Sequence, residues 1–296
     1  MKRTITITLA ATAFIGLTAC KGGGGAAASK LIPEQATIIG GMDLGGLMGS
    51  SLYKDNKDKM QDEKAKEMME AAKGCNIDIE KLGSVVFGTD GGENVAFVIT
   101  GAGIGEEANI DCIGKKIEEK DGKAPWTKDG KTLTLDEGKA TAYLVDGKTV
   151  AFASKSWAGA VKELVDGKGK AAVDGPNKDL FARADKSKHI WVAGKVPEGM
   201  AAMAKGVKDF SGYVHFSGGL QIHAAAGFAT AEEASALKDM AAGGLQMAKP
   251  MLKQQNLPET LTDDIKIDAK DTVLSVDAKI SDEDLKKVSE LAKGMM

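Results

Sequence analysis

Three histidines are the residues best suited to acid-base or metal chemistry. His215 and His223 fall on the polar face of a predicted hairpin, diagonal to each other across its strands, and His189 opens another predicted strand. A metal centre needs further ligands, and the sequence has no C-x-x-C, no H-x-x-x-H and no EF-hand loop. We therefore predict surface histidines and no metal site.

Two short motifs are compatible with catalysis or nucleotide binding. Ser51 to Lys54 fits the S-x-x-K motif of penicillin-recognising serine enzymes. The partner motifs S-D-N and K-T-G are absent, and Ser235 to Lys238 gives a second match, which indicates chance. The glycine-rich run 101–105 lies between a strand and a helix, but Glu106 stands where a dinucleotide fingerprint needs its last glycine. We predict no catalytic residue and no cofactor.

Methionine is unusually frequent, with 13 residues beside 8 phenylalanines. Leu237, Met240, Gly244, Met247 and Met251 follow a 3,4,3,4 spacing, which places them along one helix face. Methionine fills irregular apolar gaps well. We predict a core seam or an adaptable apolar groove there, with soft-metal capture as the alternative.

The first twenty residues have the pattern of an export signal. Lys2 and Arg3 precede an uncharged, mostly apolar or small run from Thr4 to Gly16, which is too short to span a bilayer. Leu17-Thr18-Ala19-Cys20 then resembles the lipobox of bacterial lipoproteins. An ordinary cleaved signal peptide with an incidental cysteine is the alternative.

The lipobox resemblance implies where the chain is held. It implies cleavage before Cys20, a diacylglyceryl group on the Cys20 thiol and usually an acyl chain such as palmitate on its amino group. Two or more chains give stable anchoring, which one chain does not. Lys21 implies sorting to the outer membrane with the body facing the periplasm, and the cell surface is the alternative.

The chain has three cysteines. With Cys20 assigned to lipid, Cys75 and Cys112 remain as an even pair in an oxidising compartment. We predict a disulfide between them, and two separate buried thiols are the alternative.

The charge pattern bears on the partner. The formal net charge is −3, and it becomes −5 once Lys2 and Arg3 are removed. Arginine, the preferred residue for phosphate recognition, occurs only at Arg3 and Arg183, and the lysines are interspersed with acids. We predict a mildly acidic body and no nucleic-acid partner.

Alternating apolar residues between turn signals predict strands and hairpins, and 3.6-residue periodicity predicts helices. The predicted strands and hairpins are 36–42, 84–100, 126–135, 140–153, 189–193, 213–228 and 265–280. The predicted helices are 49–74, 106–120, 157–165, 198–210, 231–255 with a kink at Pro250, and 282–294 with Ser281 as its cap.

Two hairpins have a predicted register, because a one-residue slip would exchange their faces. A three-residue loop at 217–219 pairs Val214 with Ile222. A two-residue turn at 270–271 pairs Ile267 with Leu274.

The order strand, helix, hairpin, helix, hairpin, helix occurs twice along the chain. We therefore predict an α+β fold of antiparallel sheets with helices on one face, built from two similar β-α-ββ-α-ββ-α units. The predicted boundaries are a signal peptide at 1–19, a flexible Gly/Ala-rich tether at 20–30, a first unit at 31–166, a linker at 167–184 and a second unit at 185–296.

Beyond the lipobox, the chain resembles uncharacterised bacterial envelope lipoproteins. The residues that carry this resemblance are Leu31-Ile32-Pro33, Ala36, Asp43, Ser51-Leu52, Cys75-Asn76-Ile77-Asp78, Leu82 and Ser84-Val85. The resemblance implies no established activity.

We predict a membrane-anchored, non-catalytic lipoprotein that binds a protein or an envelope component. The alternative is a periplasmic carrier of an apolar ligand that uses the Met-lined groove. A large apolar cavity between the Met-rich helix and the 213–228 hairpin favours the carrier, and a packed core there favours the interaction module.

Overall fold

A single wide sheet organises the molecule. The computed structural model describes residues 24–51, 53–55, 69–200, 204, 206–254 and 257–294. Within these residues, twelve antiparallel strands form one sheet, and helices pack against it. The predicted α+β class is confirmed.

The elements are numbered in chain order. The strands are β1 Ile38–Asp43, β2 Leu82–Thr89, β3 Val95–Gly101, β4 Trp126–Asp129, β5 Thr132–Leu135, β6 Ala140–Asp146, β7 Thr149–Ser154, β8 Ile190–Lys195, β9 Asp209–His215, β10 Leu220–Gly227, β11 Lys266–Lys270 and β12 Val273–Ile280. The helices are α1 Gly24–Ala28, α2 Leu44–Gly49, α3 Glu107–Asp121, α4 Ala158–Val165, α5 Lys178–Phe181, α6 Ala231–Gln254 and α7 Asp282–Gly294. Residues 51, 53–55 and 69–73 are also helical, and 56–68 of the predicted helix 49–74 lie outside the described residues.

The strand order relates the two predicted units. Across the sheet it is β11-β12-β10-β9-β8-β1-β2-β3-β7-β6-β5-β4. Read outward from the centre, β1, β2, β3, β7 and β6 occupy the same places as β8, β9, β10, β12 and β11. The two units therefore share one sheet through the β1–β8 ladder, and their duplication stays a prediction.

The two faces of the sheet are covered differently. On the first, here called the core face, Ile39, Val86, Val98 and Ala193 are fully buried. They pack with α1, α4 and the segment that connects the units, in one continuous cluster. Alternation along each strand places the next residues on the opposite, open face.

Among the described residues, the open face is covered only near the outer strands at its two sides. Ile110 of α3 packs with Leu133 and Val150 at one side, and Leu237 of α6 packs with Leu274 at the other. Between them the face is only half-buried, and Phe97 is 41% exposed. Helices therefore lie on both faces, not on one as predicted, because the central strands carry apolar residues on both sides.

The segment at 20–30 is not a flexible tether along its whole length. Gly24–Ala28 form α1 and Ser29–Leu31 a 3-10 turn, with Ala28 and Ser29 buried. The prediction is wrong for 24–30, because small residues allow this segment to lie directly on the core face. Residues 20–23 lie outside the described part of the chain.

The predicted linker at 167–184 is also part of the core. It forms a 3-10 turn at Ala172–Asp174 and helix α5, and it contributes Phe181 to the core-face cluster. Its backbone bonds the N-terminal segment, with Ala172 N–H donating to the Ile32 carbonyl at 2.8 Å. It connects the two units, but as packed structure rather than as a free link.

One hairpin register is confirmed and one is wrong. Val214 pairs with Ile222 as predicted. In the last hairpin Ile267 pairs with Val276 instead of Leu274, so the turn lies at 271–272. Asp271 adopts φ +52°, which a short polar side chain tolerates in a tight turn. A shift of two residues keeps every side chain on its face, so apolar matching could not detect it.

The predicted helix at 198–210 is wrong at its last residues, because β9 begins at Asp209. Glu198–Met200 form a 3-10 turn, and residues 201–203 and 205 lie outside the described part of the chain. Lys208 N–H donates to the Gly227 carbonyl at 2.8 Å, which draws this segment into the sheet. By contrast, Ser281 caps α7 as predicted, accepting from Asp284 N–H at 3.1 Å.

The packing of Phe181 gives a first prediction. Its side chain is 1% exposed, so Phe181→Ala should lower the free energy of unfolding by about 3–5 kcal/mol. The matched variant Asp179→Ala, on the exposed side of α5, should change it by less than about 0.5 kcal/mol. Urea denaturation measures both. Equal effects would show that the connector does not belong to the core.

The disulfide gives a second prediction. Cys75 and Cys112 are bonded, with their Cα atoms 5.6 Å apart and 37 positions apart in sequence. Cys75→Ala combined with Cys112→Ser should lower the free energy of unfolding by roughly 3–4 kcal/mol, since the unfolded chain regains the freedom of that loop. Alkylation without reductant provides the control, because neither thiol should react in the unmodified protein.

Candidate functional site

The three histidines occupy different surroundings. His223 on β10 lies with Nδ1 2.8 Å from Asp277 Oδ1 and is half-buried. His189 is 9% exposed, so the prediction of surface histidines is wrong for it. Its ring lies against Gly46, where an added Cβ would be 2.6 Å from His189 Cδ2. A glycine at the start of α2 thus makes room for the buried imidazole.

His189 and His215 form a pair, with ring centroids 4.3 Å apart. The Phe216 N–H donates to His189 Nδ1 at 3.0 Å, so that nitrogen is unprotonated and the neutral ring carries its hydrogen on Nε2. His215 Nδ1 is buried and makes no hydrogen bond within the described residues. The sequence could not reveal this pair, because it depends on which strand lies beside β9.

Burial favours the neutral form of both imidazoles. Loss of solvent lowers the pKa of His189 below its usual value, and the neighbouring His215 and Lys188 lower it further, against the opposing carboxylate of Asp43. Loss of solvent likewise lowers the pKa of His215, aided by Lys188 and opposed by Asp185. The described residues contain no group of three or more His, Cys, Asp or Glu able to hold a metal. The pair can therefore take up protons at acidic pH at a structural cost.

The open face holds an apolar cavity of about 430 Å³. Its lining residues come from β8, β9, β10 and β12: Ile190, Trp191, Val192, Phe210, Ser211, Gly212, Tyr213, Val214, Ile222, His223, Ala224, Ala225, Ala226, Leu274 and Val276. That size and lining match small-molecule pockets, which are usually concave and mostly apolar.

The strand register explains the hollow. One row across the strands is Ile190, Val214 and Ile222, and another contains Phe210 and Ala226 beside Leu274. Between these rows lie Val192, Gly212, Ala224 and Val276. The small side chains in the middle row leave a depression between larger ones. We call this depression the apolar groove.

The methionines of α6 do not line the groove. Met240, Met247 and Met251 are 71%, 67% and 58% exposed. The helix instead turns Ala234 and Leu237 to the sheet, so the predicted Met seam is wrong. Leu237 belongs both to the predicted methionine stripe and to the observed stripe that contains Ala234. Residue spacing alone therefore does not decide which stripe packs on the sheet.

Residues of the two short motifs are engaged in hydrogen bonds or ion pairs with other parts of the chain. Ser51 Oγ lies 3.5 Å from Asp282 Oδ1, and Lys238 pairs with Asp268 at 3.2 Å. In the glycine-rich loop, Asn109 Nδ2 donates to the Gly103 carbonyl at 3.0 Å. The amide of α3's own first turn thus occupies the loop where a phosphate would have to bind.

Cys20 and the lipobox at 17–20 lie outside the described residues, so lipidation stays a prediction. Cys75 and Cys112 form the predicted disulfide, which ties the end of the helical segment 69–73 to α3. None of the helices in the described ranges is long and apolar enough to cross a membrane.

Fold and groove together define a class of protein: α+β, with one wide antiparallel sheet whose helices leave an apolar hollow on one face. A similar fold occurs in the solved structure of TP0453. Its crystal form I has a TM-score of 0.53 and 8% identity, over 89% of this chain and 97% of that chain. Crystal form IV gives 0.49 and 9%, over 90% and 98%. At this identity the likeness shows the fold alone. No family profile and no curated protein matches the chain.

The buried imidazole pair gives a third prediction. Because burial lowers both pKa values in the folded state, the unfolded chain binds more protons just below pH 6.5, the usual histidine pKa. The stability that the neutral pair contributes should be complete above about pH 6.5 and be lost as pH falls through the folded-state pKa values. Urea denaturation at pH 7.5 and 5.5 should show this fall.

Variants assign that fall to the pair. His215→Gln removes one titrating ring and the charge repulsion on His189, so its loss of stability between the two pH values should be smaller. Ser156→Gln introduces the same side chain at an exposed position without removing a titrating group, so it serves as the control and should keep the loss of the unmodified protein. An unchanged loss in His215→Gln would refute the role of the pair.

Proposed function

We propose that this protein is a membrane-anchored, non-catalytic envelope lipoprotein whose body binds an apolar ligand in the groove of its open face. The observation that carries the proposal is the cavity of about 430 Å³ lined by Ile190, Val192, Val214 and Ile222. A ligand that leaves water for such a surface gains roughly 25 cal/mol for each Å² of apolar area buried.

The apolar lining of the cavity supports a carrier, although the cavity is not where it was predicted. Between the Met-rich helix and the 213–228 hairpin, Leu237 packs with Ala226 and Leu274, and the hollow lies beside that contact on the uncovered strands. The groove differs from the predicted one in its walls, because strands line it and the α6 methionines do not. The ligand that fits best is hydrocarbon-like, since the side chains of all three rows are apolar.

The anchoring part of the proposal rests on the sequence. The lipobox at Leu17 to Cys20 supports lipid attachment, and Lys21 supports the outer membrane with the body in the periplasm. The non-catalytic part rests on the surroundings of Ser51, Lys238 and the glycine-rich loop, each of which is engaged in a hydrogen bond or an ion pair.

Ligand binding gives a fourth prediction. The neutral apolar dye N-phenyl-1-naphthylamine should bind the unmodified protein with increased fluorescence. Ile222→Glu places a carboxylate in the groove, and desolvating that charge should weaken binding tenfold or more. Ile222 is 36% exposed, so the fold should tolerate the change, which circular dichroism checks.

A neighbouring residue provides the matched control. Gln221→Glu adds the same charge one position earlier, where the side chain points to the opposite face of β10. Its affinity for the dye should stay within twofold of the unmodified protein. Equal weakening by both variants would show a general charge effect, and a dye that does not bind the unmodified protein would argue against the carrier and for the interaction module.

A further inference from the structure

The first described residue, Gly24, lies at one of the two edges of the sheet where strands begin and finish. An added Cβ at Gly25 would lie 3.6 Å from Trp191 Nε1 and 3.9 Å from the Lys186 carbonyl oxygen. The same residue borders a small cleft with Met42 and Asp43, the last residues of β1. From there α1 and its 3-10 turn run back along the core face to Ile32, which lies against Gly88 near the opposite end. Gly24 therefore lies at the end of the sheet where β1 finishes and β8 begins.

The length of chain before Gly24 limits the distance between the lipid anchor at Cys20 and the folded body. Only Lys21, Gly22 and Gly23 separate it from Cys20. Four Cα steps of 3.3–3.6 Å span at most about 14 Å even when fully extended. A strand of six residues is longer, about 20 Å. If the opposite strand ends faced the bilayer, the short chain would hold Cys20 too far away for its lipid to insert. That orientation is therefore excluded.

We propose that the body meets the membrane end-on, with the strand ends that carry Gly24, α2 and the turn 185–189 facing the bilayer. The inference rests on the proposed lipidation of Cys20, and it names the lipid surface as the occupant of this end. A ten-residue flexible tether would have left the orientation free, whereas the packing of Gly24–Ala28 on the core face removes most of that freedom.

The surface at this end fits a headgroup layer. Lys186 Nζ lies 5.7 Å from the centre of the Trp191 ring, and Lys188 Nζ lies 5.1 Å from that of Tyr213. Each ammonium group thus lies over an aromatic ring, and Lys188 also lies 3.8 Å from the Asp185 carboxylate. Anionic headgroups attract cations held at this end of the strands. Burial lowers the pKa of Lys186, and the carboxylate of Asp174 opposes that effect.

The orientation also places the groove. Ile190 is the first residue of β8, and Val214 and Ile222 lie at the same end of β9 and β10. This row is therefore the part of the groove nearest the bilayer. An apolar ligand that leaves the membrane meets the groove at this row, and the open face stands roughly perpendicular to the lipid surface.

Site-specific fluorescence quenching tests the orientation. Single variants Ser187→Cys and Ser156→Cys place one labelled thiol in the 185–189 turn and one beyond the far end of β7. The other thiols are occupied by lipid and by the Cys75–Cys112 disulfide. The lipidated full chain is reconstituted in vesicles of phosphatidylcholine and phosphatidylglycerol that contain a lipid with a nitroxide headgroup.

The label at 187 should be quenched at least twofold more than the label at 156. Equal quenching, or more at 156, overturns the orientation while leaving the anchor intact. Lipidated protein that fails to float with the vesicles, as the Cys20→Ala control should, overturns the anchor itself. A ten-residue Gly/Ser insertion after Lys21 should abolish the difference between labels. If the difference survives that insertion, the short tether is not its cause and the inference fails.

Discussion

The pairing of β1 with β8 is the interaction on which the rest of the structure depends. Five residue pairs, from Ile38 with Gly194 to Met42 with Ile190, join the two units into one sheet. The ladder requires glycine at more than one position: an added Cβ at Gly41 would lie 2.6 Å from the Trp191 indole, and one at Gly194 would lie 2.8 Å from Ile38 Cα. Trp191 is 2% exposed and belongs to the core-face cluster together with Ala28 of the N-terminal segment. The same cluster thus joins the two units and holds the N-terminal segment on the sheet.

A continuous twelve-stranded sheet has two faces to cover, and this chain covers them unequally. The N-terminal segment, α4 and the connector bury the core face of the central strands. On the open face α3 and α6 lie near opposite ends, each packed on its own unit. The middle of that face, where the units meet, receives neither helix. The apolar groove follows from this arrangement, because it lies between the junction of the two units and the strands that α6 covers.

Local patterns in the sequence predicted most of the elements, whereas long-range pairing decided what they build. Aspartate-glycine turns predicted the hairpins 126–135 and 140–153, and periodicity predicted α3, α4 and α6. Nothing local shows that β1 pairs with β8, so the single sheet and the His189–His215 pair were not predictable. The Gly/Ala run at 24–28 suggested flexibility for the same reason, because its burial depends on a face built from distant strands. The α6 methionines show the limit of spacing, since two overlapping apolar stripes competed for one sheet.

The imidazole pair and the groove belong to the same ladder. His189 immediately precedes Ile190 and His215 immediately follows Val214, so the two rings lie directly beyond the first residue pair of the groove. The bond from Phe216 N–H to His189 Nδ1 continues the contact between β8 and β9 past that pair, and it requires a neutral ring. A protonated His189 cannot accept that bond, and its charge would lie 4.3 Å from a second imidazole. Proton uptake therefore acts on the end of the groove wall that Ile190 and Val214 form.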